Sequence, residues 1–139
     1  MDGLGALAGA MLVGLLAKPD RFATVYVGGT AIYLAMLIAF ALAPHPVPAS
    51  GALVAVGIGG AGFATMQATL TYLVVAPEFR GRALGVLSTA IGTGLLGFLQ
   101  LGLLAEWLGA PAAVALVGAQ GLIALAATWP LWRPLLRTA

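Results

Sequence analysis

Cysteine is absent from the 139 residues, which excludes disulfides, thiolate nucleophiles and cysteine-held metal or iron–sulfur centres. Charge is nearly absent as well: Asp, Glu, Lys and Arg together make up 7% of the chain, and there is one histidine. A water-soluble domain of this size needs far more polar surface, so a soluble globular reading is excluded. Asp, Glu, His, Lys and Arg are also missing from the middle of every long apolar run. That leaves no intramembrane proton relay, no metal cluster and no charged binding partner of the chain's own. No Ser/His/Asp set or carboxylate pair is recognisable, so an enzyme is not expected, and neither is a cofactor. Six basic residues and a sequence pI near 9.5 say nothing of nucleic acid; what matters is where those six sit.

What is present is hydrocarbon. Hydrophobic residues make up 62% of the chain and mean hydropathy is +1.09. Residues 22–77 carry no charge, and residues 83–132 carry only Glu106. Punctuation by Pro, Gly and charge predicts an all-α polytopic bundle, a single transmembrane domain over 1–139. Its five spans run approximately 3–17, 22–43, 51–75, 83–106 and 112–132. At 1.5 Å per residue the last four each reach about 30 Å, enough to cross the hydrocarbon core, whereas the first reaches only about 22 Å. The opening stretch resembles a secretory signal in length, but Asp2 stands where a signal peptide carries positive charge, so it is read as a retained helix.

The connections are KPDR (18–21), PHPVPAS (44–50), APEFRGR (76–82) and WLGAP (107–111), followed by the tail RPLLRTA. Lys18, Arg21, Arg80, Arg82, Arg133 and Arg137 fall in three segments separated by two spans each, so all six share one side. By the positive-inside rule that side is cytoplasmic, which puts the N-terminus outside and the C-terminus inside a multi-pass protein of the cell membrane. Ala76 before Pro77 disfavours continuing the third helix, and Pro77 and Glu78 suit the first turn of the next one. Trp107 on one side and Trp129 and Trp132 on the other fit interfacial belts.

Small residues recur at four-residue spacing: Gly5 and Gly9; Ala6, Ala10 and Gly14; Gly81 and Gly85, with Gly92 further along. Such stripes let helix backbones approach closely in lipid, and they predict a compact bundle. Polar residues inside the spans need partners or a cavity. In the third span Gly60, Ala64, Gln67 and Thr71 share a face; in the fourth, Thr89, Thr93, Gly97 and Gln100 do so. Gln67 and Gln100 either line an aqueous path or make interhelical hydrogen bonds. Threonine hydroxyls can instead satisfy themselves on the preceding turn. Glu106 and His45 read as interface and loop residues.

Pro77, Arg80, Gly81 and Gly85, with the glycine-rich helix to Gly102 and a following Gly-Ala-Pro turn, resemble the connection between the tenth and eleventh helices of the major facilitator superfamily. Read outward, the five spans resemble its eighth to twelfth helices, with an exporter-like character. The segment GLLAKPDRFATV keeps Gly14, Asp20 and Arg21 of the family's loop between helices eight and nine, with shifted spacing and without its trailing basic residues. The resemblance implies a secondary transporter that moves a small solute, such as a drug or siderophore, across the lipid bilayer by alternating access. It implies that Gln67 and Thr71 face a substrate cavity flanked by the fourth span, where Gln100 is the third cavity candidate, and that Asp20, Arg21, Glu78, Arg80, Gly81 and Arg82 form the cytoplasmic gate loops. It also implies that the remaining N-terminal helices come from the same or a separate chain. A different reading is a free-standing five-helix membrane protein with a structural or accessory role, or a non-functional fragment.

Overall fold

A computed structural model describes residues 2–16, 18 and 21–137. Among them there is no strand. The helices are α1 (Asp2–Leu16), α2 (Phe22–Ala41), α3 (Pro46–Val74), α4 (Arg80–Gly92), α5 (Gly94–Leu108), α6 (Ala110–Ala127) and α7 (Trp129–Arg137), with a 3-10 turn at Pro77–Phe79. An apolar surrounding offers no partner for backbone N–H and C=O groups, so a chain this poor in polar side chains must satisfy them within each segment, as a helix does. Four stretches are long and apolar enough to cross a bilayer: α2, α3, the combined Pro77–Leu108 and α6. The protein is a helical membrane protein. The five expected spans therefore appear as four of crossing length and one shorter apolar helix, α1.

Local chemistry shifts several boundaries. Residues 44–50 are not a loop throughout, because α3 begins at Pro46 with His45 extended before it (φ −139°, ψ 155°). Pro46 and Pro48 occupy the first turn, where an N–H has no intrahelical partner to lose. The fourth span is two helices. Thr93, between Gly92 and Gly94, is a turn residue whose hydroxyl donates to the Ala90 carbonyl at 2.6 Å. Two flanking glycines and a hydroxyl competing for the ladder weaken the helix there. The fifth span ends at Ala127: the Thr128 hydroxyl bonds the Ala124 carbonyl at 2.8 Å, and Pro130 lacks the N–H that would continue the ladder, so Trp129 and Trp132 sit on the separate short α7. Between α5 and α6 the turn is Gly109 alone, at φ 84°, ψ 154°, a backbone conformation that is essentially glycine-only.

The helices pack as a row, in the order α1, α3, α2, α6, α5. The compact bundle expected from the small-residue stripes is thus an open one, with α1 and α5 at its edges. Glycines make the inner contacts close. A Cβ at Gly5 would meet the Val54 carbonyl, and one at Gly9 would lie 2.7 Å from Ile58 Cα, so α1 rests directly on the backbone of α3. A Cβ at Gly29 would lie 2.9 Å from the Gly59 carbonyl, and one at Gly59 would lie 2.6 Å from the Tyr33 nitrogen, which seats α2 on the other side of α3. Gly118 and Gly121 of α6 receive Ile38 and Leu34 of α2. These pairings run parallel between α1 and α3 and antiparallel between α2 and its neighbours. Lys18, Arg21, the 75–82 turn and α7 therefore share one end, where Tyr26 stacks on both Phe63 and Trp132 with ring centroids 5.4 and 5.3 Å away. The basic residues described there share that end, as their spacing predicted.

Candidate functional site

The polar groups of the spans divide into two kinds. Threonine hydroxyls turn back onto their own helix: Thr71 donates to the Gln67 carbonyl at 3.0 Å, Thr69 to Thr65 at 2.9 Å and Thr89 to Gly85 at 3.0 Å. Each is satisfied without a neighbour. The Gln100 amide instead reaches across, with Nε2 donating to Oε1 of Gln120 at 2.9 Å and tying α5 to α6. Gln100 pairs with Gln120, not with Gln67, which lies half-buried on α3 beside the buried Met66. Gln67 and Thr71 are thus neighbours one turn apart on α3, and Gln100 is bonded elsewhere.

Gln120 was not singled out from the sequence. A lone amide inside an apolar run, about as far after the Gly109 turn as Gln100 lies before it, was the available signal. The amide pair sits on an exposed surface. Beside it runs a shallow groove of about 370 Å³ along one face of α5, lined by Leu96, Leu99, Gln100, Leu103, Leu104 and Trp107. None of the crossing-length stretch Pro77–Leu108 is buried inside the molecule. One Gln–Gln bond leaves an acceptor on Gln100 and donors on Gln120 to be met from outside the chain.

At the basic end the helix connection is built from Val75 and Ala76. Both are extended (ψ 130° and 144°), stopping α3 ahead of Pro77, and the Phe79 N–H bonds the Ala76 carbonyl at 2.9 Å to start the next turn. Arg80 folds back: its Nε donates to the Val75 carbonyl at 3.3 Å and its guanidinium carbon stands 5.9 Å from the centre of the Tyr72 ring. A cation at the negative end of α3 is favoured by the helix dipole, and the carbonyl it takes lies beyond the α3 ladder. Glu78 and Arg82 are exposed, as is Arg21 ahead of α2. Asp20 lies outside the described residues.

Of the packing glycines, Gly5 and Gly9 touch α3 as described. At Gly85 and Gly92, and likewise at Gly81, a Cβ would meet no atom within 4 Å, so among the described residues no other helix lies against them. Among the described residues no three His, Asp or Glu side chains gather as metal ligands. No family model, no curated protein and no solved structure matches this chain.

Proposed function

We propose that this chain forms part of a secondary transporter of the cell membrane that moves a small solute by alternating access, with an exporter-like character and with the basic end cytoplasmic. The observation that carries the reading is the Gln100–Gln120 pair, polar and uncovered in the middle of an apolar surface. An unmet amide in hydrocarbon is costly, so this face belongs against water or further polar helices, as the wall of a transport path would be. The resemblance of Pro77, Arg80, Gly81 and Gly85 to the major facilitator superfamily supports the same reading. So does the open row, which leaves α1 and α5 to be covered by helices outside the chain. Under this proposal the jointed α4–α5 segment flexes at Gly92–Gly94 as the path changes access, and Arg80 holds the α3 end at the gate.

The chain's lack of cysteine makes the test direct. Gln100→Cys in native membranes should react with a membrane-impermeant thiol reagent, and a transported solute should slow the reaction. Leu95→Cys, on a different face of α5, should stay inert. Inert cysteines at both positions would sink the reading. The second reading, a self-associating structural protein, is favoured by one feature: the free acceptor of Gln100 and free donors of Gln120 are complementary to a second copy of themselves. In that case disulfide cross-linking between two copies through Gln100→Cys would replace labelling.

A further inference from the structure

α1 and α2 are consecutive, and both pack on α3, yet they leave a groove between them of about 300 Å³. Leu12 and Val13 form one wall, Val25 and Ile32 the other, and Gly59 and Gly62 of α3 lie in its floor. Its lining is apolar apart from Arg21 and Thr24 at one end. From Arg21 to Ile32 the groove runs eleven residues along α2, about 16 Å, which is half of a hydrocarbon core of about 30 Å. The space is therefore as deep as one leaflet and carries a cation at the level of the headgroups.

Charge defines the occupant. Arg21 lines the mouth and is exposed, and Lys18, whose carbonyl accepts from the Arg21 N–H at 2.8 Å, is exposed beside it, while Asp20 lies outside the described residues. The α2 N-terminus adds to the positive end: Arg21, the residue ahead of it, makes no side-chain cap, and the positive end of the helix dipole lies beside it. Apolar walls one leaflet deep under a cationic rim match one acyl chain beneath a phosphate. We infer that the α1–α2 groove is a binding site for an anionic phospholipid, with one acyl chain between Leu12 and Ile32 and the phosphate at Arg21. The inference rests on the membrane character of the chain and not on transport.

Gly28 allows a clean test. It lines the groove, and a Cβ there meets no atom within 4 Å, unlike Gly29 and Gly59, whose substitution would push helices apart. The full chain in mild detergent, offered equal phosphatidylglycerol and phosphatidylcholine of matched acyl chains, should retain one lipid in native mass spectrometry, with phosphatidylglycerol preferred. Arg21→Gln should lower that preference about fivefold, the factor that one basic residue contributes toward an anionic lipid surface. Gly28→Leu should abolish retention of both lipids while helical circular dichroism stays unchanged; if Leu disturbs the fold, Gly28→Ala should reduce retention in its place. Arg133→Gln, at the same end but away from the groove, should have no effect. The inference is overturned if Gly28→Leu folds and retains lipid like the wild type, or if Arg133→Gln lowers the preference as much as Arg21→Gln. Displacement by glycerol phosphate lacking acyl chains would also overturn it, as would a second protein chain held in place of lipid.

Discussion

At the scale of single residues, glycine does two distinct jobs that composition alone does not separate. Gly57, Gly29 and Gly59 are places where helix backbones touch; a Cβ at Gly57 would meet the Asp2 carbonyl across the α1–α3 contact. Gly57→Ala should therefore cost about 1–3 kcal/mol through overpacking, whereas Gly28→Ala should be silent in the same measurement, reversible unfolding in detergent followed by circular dichroism. Gly109 is needed for its backbone, and Gly109→Ala should cost a similar ~1–3 kcal/mol although space around it is open. Which glycine does which was only partly legible. Spacing placed Gly5 and Gly9 in contact, but the same spacing marked Gly81 and Gly85, where a Cβ would meet none of the described residues within 4 Å, because a four-residue stripe says that a face is smooth and not what lies against it. The amide pair has its own energetic signature. Gln120→Leu should destabilise by about 0.6 kcal/mol, the usual worth of such a bond in a membrane bundle. No loss of stability on this change would mean that the amides are not bonded to each other.

At the scale of elements, hydropathy located the spans and missed their joints. The run 83–106 is apolar without interruption, so a scale that averages over a window passes across Gly92, Thr93 and Gly94 unaware of the break. The break is a matter of backbone and hydroxyl, visible only to a reader who weighs two glycines and one threonine together. The same holds at Thr128, and at Pro46, where prolines that look like a loop open a helix. If the Gly92–Gly94 joint is a weak point, Gly92→Ala with Gly94→Ala should strengthen the helix by about 1 kcal/mol per glycine, and amide exchange at 93–96 should slow several-fold. Unchanged exchange would mean that the segment is already one rigid rod. At the neighbouring turn, Arg80→Ala should remove about 0.3–1 kcal/mol from the α3 terminus, read as faster exchange near Val75.

At the scale of the whole molecule, the sequence foretold the all-helical class, the membrane setting and the clustering of basic residues at one end. Each follows from composition and alternation along the chain. The arrangement in a row was beyond it. Which helix lies beside which depends on pairs such as Leu34 with Gly121, and one sequence carries no record of such pairs. The row also bears on function, since its edges at α1 and α5 are apolar and uncovered, Trp107 being 82% exposed. Lipid can cover α1, but the amides beside the α5 face call for polar company. A native gel of membranes extracted in mild detergent, with an epitope tag placed after Ala139, tests this most directly. The account predicts a species well above the chain's own 13.9 kDa after allowance for bound detergent, its further helices supplied by the same or a separate polypeptide. A lone 13.9 kDa species would contradict the proposal that α5 lines a path built with other helices.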